Sequence, residues 1–337
     1  MASLASATPK QTIETRSSLL IVAAAAMVSS WRASAGDGIH DDDFLDWVYE
    51  MRVVSWNVAF SGRKTAKRQG GLLRELAPDL MLLQEVNPGS SDLLREGAGA
   101  DWMVKAVDLR PQDPDGSSVR WRGVAIAGRG LPLRRKWLLP SRWWRPNQIQ
   151  RAQPERILLI ETQTGGTPFI AASYHAPPGV SYKIVKPQQA VAFASWLSKQ
   201  NEPLLFGADA NTPLIDAPAS LIPGRTGIRV TGGCAENLAM TSLFGSGKVH
   251  DLCDALRRWL ALHPDEIERL RARKPGGPLA VTHKTGRRKN SPGTPRRYDS
   301  VWVSRHWVVR HIEHLYEKGK RAGSDHAPVK VDLDLSA

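Results

Sequence analysis

Short apolar runs alternate with helical patterns from Met51 to the end of the chain. Runs of this length that are rich in β-branched and aromatic residues are typical of buried strands. The predicted strands are MRVVSWNVAF, DLMLLQEV, DWMVKAV, RGVAIAGR, ERILLIETQ, TPFIAASYH, LLFGADA, LAVTHKT, RRYDSVWVS, HWVVRHIEHLY and HAPVKVDLDL.

Apolar residues at helical spacing lie between several of these strands. Leu72, Leu73 and Leu76 share one side of a helix that stops near Pro78, and KPQQAVAFASWLSKQ shows the same spacing. SDLLREG predicts a short helix, and VHDLCDALRRWLALHPDEIERLRARK predicts a helix interrupted around Pro264. The mixture of strands and helices predicts an α/β protein, and we expect one domain over residues 51–337.

Residues 1–50 are expected to form an N-terminal extension outside this domain. In one interpretation they include a secretory signal over residues 1–35, because LLIVAAAAMV follows two basic residues and precedes an A-x-A site at 33–35. In the other, Met51 is the true start, because a strand begins there directly. The second interpretation slightly favours a cytoplasmic protein. No apolar run is long enough to span a bilayer.

Polar residues stand at the ends of several predicted strands. An acid and an amide, Asp209 and Asn211, close LLFGADAN with one alanine between them. The complete set is Asn57, Glu85, His175, Asp209, Asn211, Asp299, Asp325 and His326. If these strand ends meet at one rim, they form a single site.

Several carboxylates in one place repel each other unless a cation lies among them. Oxygen ligands without cysteine suit Mg²⁺, Mn²⁺ or Ca²⁺. Each residue alone has a simpler interpretation: Asn57 suits a turn, and Asp299 suits a surface ion pair with Arg296 or Arg297. The ordered set outweighs these interpretations.

The motifs SWNV, LLQEV, SYHAPPG, GADANTP, RRYDSVWVS and GSDHAPV occur in this order. Together they resemble the endonuclease/exonuclease/phosphatase superfamily, which includes DNase I, AP endonucleases and neutral sphingomyelinases. The resemblance runs from about Met51 to the C-terminus and is loose over residues 212–280. It implies a DNase I-like, four-layer α/β sandwich, in which two mixed β-sheets pack face to face between helices.

The resemblance also implies a role for each residue. Glu85, assisted by Asn57 and Asp325, would bind Mg²⁺, with Mn²⁺ as an alternative. Asp209 would be the general base for an attacking water, and Asn211 would hold that water or a phosphate oxygen. His326, oriented by Asp299, would donate to the phosphate. His175 would aid the phosphate or the leaving group.

The substrate is indicated mainly by charge. The net charge is +13, which attracts polyanions. A basic, tryptophan-rich segment contains Trp143 and Arg145, and Arg296 and Arg297 precede the Asp299 strand; all four are predicted to bind substrate. These features favour a monomeric nuclease acting on DNA or RNA, without a stable protein partner. The alternatives are a phospholipid or small-molecule phosphate hydrolase and a non-catalytic nucleic-acid-binding protein.

Overall fold

The computed structural model describes residues 51–109, 123–139, 154–178, 185–211, 218, 252–286 and 293–336. The described elements all belong to one compact unit, Tyr49–Ala337. No helix among them combines the length and apolar character needed to cross a bilayer.

The described residues form fourteen strands. They are β1 (Met51–Asn57), β2 (Leu80–Val86), β3 (Trp102–Lys105), β4 (Gly123–Gly128), β5 (Arg135–Leu138), β6 (Ile157–Thr164), β7 (Thr167–His175), β8 (Leu204–Asp209), β9 (Cys253–Asp254), β10 (His283–Thr285), β11 (Thr294–Arg296), β12 (Asp299–Val303), β13 (Trp307–His314) and β14 (Val329–Leu335).

Six α-helices lie between these strands in the described part of the chain. They are α1 (Arg63–Leu76), α2 (Ser91–Ala98), α3 (Val185–Leu197), α4 (Ala255–Leu262), α5 (Pro264–Arg273) and α6 (Tyr316–Ala322). Short 3₁₀ turns occupy Pro88–Ser90, Ala106–Leu109 and Pro154–Arg156.

Two six-stranded sheets carry the fold. Their strand orders are β13-β14-β1-β2-β4-β3 and β5-β6-β7-β8-β12-β9. Each sheet is mixed, because β1 pairs with β2 in parallel and β7 pairs with β8 in parallel, whereas the other neighbours are antiparallel. Strands β10 and β11 form a separate two-stranded sheet.

Three apolar cores define the layers. The inner core lies between the sheets and combines residues such as Val53 and Leu82 of the first sheet with Leu205 and Val301 of the second. A second core joins the outer face of the second sheet to α3, and a third joins the outer face of the first sheet to α1, α2 and α6. The prediction of a four-layer α/β sandwich is confirmed.

The inner face changes from apolar to polar towards one end of the sandwich. Ser55, Gln84 and Ser173 lie there, all fully buried. Nε2 of Gln84 donates to Oγ of Ser173 across the sheets at 3.1 Å, and Oγ of Ser173 donates to the Leu83 carbonyl at 2.9 Å. This layer lies two residues before the ends of β1, β2 and β7, so the strand ends beyond it form the edge of the site.

Gly207 of β8 lets the sheets approach at this layer. A Cβ at Gly207 would lie 2.4 Å from Oγ of Ser55 and 2.9 Å from Cβ of Leu82. Both atoms are close to their own backbone and have little freedom to move.

Three sequence predictions differ from the structure. The last strand begins at Val329, so His326 lies in the preceding connection. The run LAVTHKT contributes only three strand residues, His283–Thr285. Helix α6 was not predicted, because its seven residues, YEKGKRA, are mostly charged and contain a glycine. It forms through packing against α1 and ends at Gly323, whose φ of 97° suits a left-handed cap.

The close approach at Gly207 generates a stability prediction. Gly207→Ala should lower the free energy of unfolding by about 2 kcal/mol, because a methyl group forced into a packed interior displaces its neighbours. Chemical denaturation measures this change.

Gly71→Ala is the matched control. Gly71 lies in α1, and a Cβ there would have no heavy atom within 4 Å. The variant should be neutral or slightly stabilised, since alanine is the better helix former. Equal stability of the two variants would contradict the close approach.

Candidate functional site

Three adjacent strands of the second sheet place a row of polar side chains at one edge. In the ladders, His175 of β7 is opposite Asp209 of β8, and Asp209 is opposite Asp299 of β12. All three side chains are at most 2% exposed. Each of the three side chains faces the space between the two sheets, because side chains alternate between the two faces of a sheet.

The first sheet contributes Asn57 from the end of β1. Its Nδ2 donates to Oδ2 of Asp209 at 2.8 Å, so the two sheets are joined at the site itself. Its Oδ1 accepts from the backbone N–H of Ala59 at 2.8 Å, which fixes the orientation of the amide. Asn57 therefore stabilises the Asp209 carboxylate by a hydrogen bond without adding another carboxylate.

Glu85 reaches the same edge through an irregular backbone. Strict alternation along β2 would place it on the outer face with Leu83. Its φ is 52°, and the pairing of β2 with β4 shifts register between Leu83 and Val86. Oε1 of Glu85 lies 3.6 Å from Nε2 of His175. Positive φ is unusual for a residue other than glycine, and such strain is often stored at functional sites.

Asn211 also has a left-handed backbone, with φ of 47°. Its backbone N–H donates to Oδ1 of Asp209 at 2.9 Å, and its Nδ2 donates to the Ala176 carbonyl at 2.8 Å. The same Nδ2 lies 3.0 Å from Nε2 of His175. Nζ of Lys186, which is 2% exposed, donates to the Asn211 carbonyl at 2.9 Å.

His326 is held at the site by its own connection. Oγ of Ser324 accepts from the His326 N–H at 3.1 Å and donates to the Asn57 carbonyl at 2.6 Å. The Trp56 indole donates to the His326 carbonyl at 3.1 Å. The next N–H, that of Ala327, donates to the Thr282 carbonyl at 2.8 Å. The imidazole is therefore positioned without belonging to a strand.

Asp299 and His326 form a buried ion pair. Nδ1 of His326 lies 2.9 and 3.1 Å from the two carboxylate oxygens of Asp299. Burial opposes a charge on the imidazole, but Asp299 and Asp209 outweigh it and raise the pKa of His326 to about 10. His326 is therefore cationic at neutral pH.

Burial and two neighbouring charges shift the pKa of Asp209. Burial raises the pKa of its carboxyl group, the His326 charge lowers it, and Asp299 raises it again. The net direction is upward. A carboxylate with a raised pKa is a better proton acceptor than an exposed aspartate.

The two ring nitrogens of His175 face groups of opposite charge. Nη1 of Arg156 lies 2.9 Å from Nδ1 of His175. Nε2 points to the site, 3.6 Å from Oδ2 of Asp209.

His283 and Asp325 lie on the other side of His326. The His283 and His326 rings are 4.6 Å apart, and Nε2 of His283 lies 3.3 Å from Oδ2 of Asp325. The hydrogen bond from His283 lowers the pKa of Asp325 to about 2. The ring of Tyr298 is 5.4 Å from that of His283.

The oxygen donors fit a hard divalent cation. Glu85 is partly exposed, Asp325 is half-exposed, and Oδ1 of Asn57 retains a second lone pair. Within the described residues, two groups of three His, Cys, Asp or Glu side chains have ligand atoms that all lie within 4.8 Å of one another: His283, Asp325 and His326, and Asp209, Asp299 and His326. Glu85 belongs to neither group, so its assignment with Asn57 and Asp325 to one ion stays a prediction.

The prediction that Arg297 binds substrate was wrong. Arg297 is 0% exposed, and its Nη1 donates to Oδ2 of Asp254 at 2.7 Å. Because Asp254 lies on the neighbouring strand β9, the pair is part of the interior. Arg296 is exposed, and its charge acts on the half-buried Tyr298, whose pKa is raised by burial. Trp143 and Arg145 lie outside the described residues.

Four residues near the site were missed by sequence reasoning: Arg156, Lys186, Thr282 and His283. Oγ1 of Thr282 accepts hydrogen bonds from the backbone N–H groups of Tyr298 and Asp299, at 2.8 and 3.1 Å. Of these four residues, only Arg156 could have been placed at the site from the sequence. The turn at Gly165-Gly166 sets the register of β6 against β7, which brings Arg156 beside His175.

Comparison with known proteins is consistent with this geometry. Residues 54–326 match the profile of the Endonuclease/Exonuclease/phosphatase family. The chain belongs to this family. Its members hydrolyse phosphoester bonds, so the site is that of a phosphoesterase. No curated protein sequence matches the chain.

Solved structures with the same fold are distant in sequence. TDP2 of D. rerio, complexed with a single-strand DNA product, has 15% identity and a TM-score of 0.56, covering 84% of this chain and 98% of its own. The human Nocturnin catalytic domain with bound sulfate has 16% identity and a TM-score of 0.51, with coverages of 85% and 94%. A mannosyl-6-phosphatase from Bacteroides thetaiotaomicron has 15% identity and a TM-score of 0.51, with coverages of 84% and 99%.

The Asp299–His326 pair generates a pH prediction for the metal-free protein. The His326 pKa of about 10 exceeds the ordinary value of 6.5. The pair therefore makes its full contribution to the free energy of unfolding below about pH 6.5, and this contribution is lost as the pH rises towards 10. Nuclear magnetic resonance should show His326 still protonated at about pH 8.

Asp299→Asn should move the titration midpoint of His326 to lower pH, because the amide carries no charge. Asp108→Asn is the control, since Asp108 is exposed and, among the described residues, forms an ion pair with the surface residue Lys105 at 3.3 Å. A His326 midpoint that is the same in both variants would show that Asp299 does not hold the charge.

Proposed function

We propose that this protein is a divalent-metal-dependent phosphodiesterase that cleaves nucleic acid by direct attack of water. The observation that carries the proposal is the cationic His326, held by Asp299 beside the buried Asp209. One group can donate to a phosphate oxygen while its neighbour accepts a proton. These are the two requirements of phosphoester hydrolysis that protein side chains can meet.

In the proposed reaction, the oxygen of water forms a bond to phosphorus and the ester P–O bond breaks. Asp209 accepts the proton of the attacking water, and the leaving oxygen takes a proton from solvent. His326 donates a hydrogen bond to a non-bridging oxygen, where negative charge increases. Asn211 and Asn57 orient the water and Asp209 without adding charge. Asp209 then returns its proton to solvent.

A divalent cation, Mg²⁺ or Mn²⁺, would be held by Glu85 with Asn57 and Asp325. When bound, it would supply positive charge for the phosphoryl and leaving oxygens. The support is the oxygen-only donor set and its partial exposure at the edge of the site.

Charge supports nucleic acid as the substrate. The chain carries a net charge of +13, and Arg296 is exposed near Tyr298, close to the site. A polyanion gains from each such cation through counterion release. A single phosphate monoester would use few of these charges, so a polymeric substrate fits them better.

The role of Asp209 generates a kinetic prediction. Asp209→Asn keeps the shape of the side chain but removes its ability to accept a proton. It should lower kcat by about 100- to 10,000-fold, with circular dichroism unchanged. Steady-state hydrolysis of bis-p-nitrophenyl phosphate measures the effect.

Asp108→Asn again serves as the matched control, because it removes one exposed carboxylate outside the site. It should keep the activity of the parent protein. Near-normal turnover by Asp209→Asn would remove the general base from the proposal.

The metal and substrate assignments generate a second prediction. Plasmid DNA, single-stranded DNA and RNA should be degraded with Mg²⁺ or Mn²⁺, and excess EDTA should abolish the activity. Nucleic acid should be preferred over sphingomyelin and over sugar phosphates, and binding should weaken steeply with salt.

Three results would contradict this assignment. Full activity in EDTA would exclude the divalent cation. Faster hydrolysis of sphingomyelin or a sugar phosphate than of every nucleic acid would show that the substrate of this site is a lipid or a small molecule. Salt-dependent DNA binding without cleavage would indicate a non-catalytic binder.

A further inference from the structure

Two N–H donors lie against the ring of His175. Nη1 of Arg156 is 2.9 Å from Nδ1, and Nδ2 of Asn211 is 3.0 Å from Nε2. A neutral imidazole has one N–H and one lone pair, so its ring can accept only one of these two hydrogen bonds. The donor that is accepted determines what His175 presents to the site.

Of the two donors, Arg156 is the one that needs the lone pair of the His175 ring. A guanidinium has only donors and keeps its charge at every accessible pH. Arg156 and His175 are 6% and 2% exposed, so an N–H on Nδ1 would face a cationic N–H with little water to separate them. This arrangement would set two N–H groups against each other at hydrogen-bond distance, which is unfavourable.

The amide of Asn211 has other acceptors. Its Nδ2 donates to the Ala176 carbonyl at 2.8 Å and lies 3.5 Å from Oδ2 of Asp209. It can therefore give up the contact with His175 without becoming unsatisfied. The lone pair of His175 belongs on Nδ1, and its proton belongs on Nε2.

The fold makes the Arg156 contact specific. Arg156 ends the 3₁₀ turn Pro154–Arg156, immediately before β6. Because Ile157 is opposite Tyr174 in the β6–β7 ladder, Arg156 comes beside His175 where that ladder ends. The two residues are adjacent through strand pairing, not through a flexible loop.

We propose that Arg156 is a positioning residue that holds His175 as the neutral Nε2–H tautomer, so that His175 donates a hydrogen bond to an oxygen of the bound phosphate ester. Nε2 is the ring nitrogen that faces the site, 3.6 Å from both Glu85 and Asp209. The identity of the ester oxygen rests on the proposed function. The tautomer rests only on the contacts of His175.

This assignment separates the roles of the two site histidines. Nδ1 of His326 faces a carboxylate, and the ring carries two protons; Nδ1 of His175 faces a guanidinium, and the ring carries one. His175 then acts as a hydrogen-bond donor and not as an acid, because losing its only proton would leave an imidazolate. Arg156 acts through His175 and does not itself contact the reacting atoms.

The tautomer can be measured on the full chain without any substrate. In protein labelled with ¹⁵N-histidine at about pH 7.5, His175 should show a protonated Nε2 and a bare Nδ1. Arg156→Met removes the donors but keeps an unbranched side chain of similar length to the arginine stem, and it should give a mixture of tautomers. Arg156→Lys keeps a charged donor and should restore the Nε2–H form.

A double-mutant cycle tests whether Arg156 acts through His175. Arg156→Met alone should lower kcat on bis-p-nitrophenyl phosphate about 100-fold with little change in KM. In a His175→Ala background it should lower kcat less than about twofold further, because the residue it orients is absent. Losses that multiply in full would mean that Arg156 acts on the substrate directly, which would overturn the proposal.

The outcomes separate this proposal from the proposed function. If no phosphoester is hydrolysed, the proposed function fails, and the spectrum of the parent protein still decides the tautomer. A protonated Nδ1 in the parent protein, or an unchanged Nε2–H form in folded Arg156→Met, would overturn the role of Arg156. If Arg156→Met does not fold, the parent spectrum and Arg156→Lys decide, and loss of the Nε2–H form in Arg156→Lys would count against it.

Discussion

The site depends on two buried carboxylates that face each other on neighbouring strands. Asp209 and Asp299 are directly opposite in the β8–β12 ladder, and both are almost completely buried. Like charges in this arrangement repel, and burial adds a desolvation cost to each. His326 offsets both terms, since its ligand atom lies within 4.8 Å of a carboxylate oxygen of each acid. Its positive charge is thus a structural requirement before it is a catalytic one. The contacts of Ser324, Trp56 and Thr282 that hold its connection in place follow from the same need.

The sandwich can carry these charges because its inner face changes character along the strands. The middle of the interface is aliphatic, a layer of Ser55, Gln84 and Ser173 follows, and the charged residues come last. Polar groups buried in this order can hydrogen-bond across the sheets instead of losing water without compensation. Gly207 contributes by having no side chain at a point where Ser55 and Leu82 of the first sheet pack directly against β8. Asn57 then joins the two sheets at the edge through its bond to Asp209.

The group that faces Nδ1 differs in charge between His326 and His175. Asp299 accepts from His326 and favours the imidazolium, whereas Arg156 donates to His175 and favours a neutral ring. The backbone adds a second level of control. Glu85 and Asn211 both have left-handed φ values, which redirect their side chains away from the positions that regular strands would give. The surrounding hydrogen bonds to Asp209, Ala176 and the end of β2 hold this strain.

Short apolar runs and helical spacing determined the α/β class and most of the strands, and they placed Asn57, His175, Asp209 and Asp299 at strand ends, because both patterns are local properties of the chain. The ordered motifs determined the family for the same reason. Tertiary structure alone decided that Glu85 turns inward, since its positive φ breaks the alternation, and that Arg297 is buried against Asp254, since a basic residue beside the motif looks the same whether or not a partner lies across the sheet. It also decided the contacts of Arg156 and His283, which depend on strand register and on a short hairpin without periodic signal. A pattern along the chain records which face a side chain takes, but the partner that sets its charge and its proton comes from a distant segment.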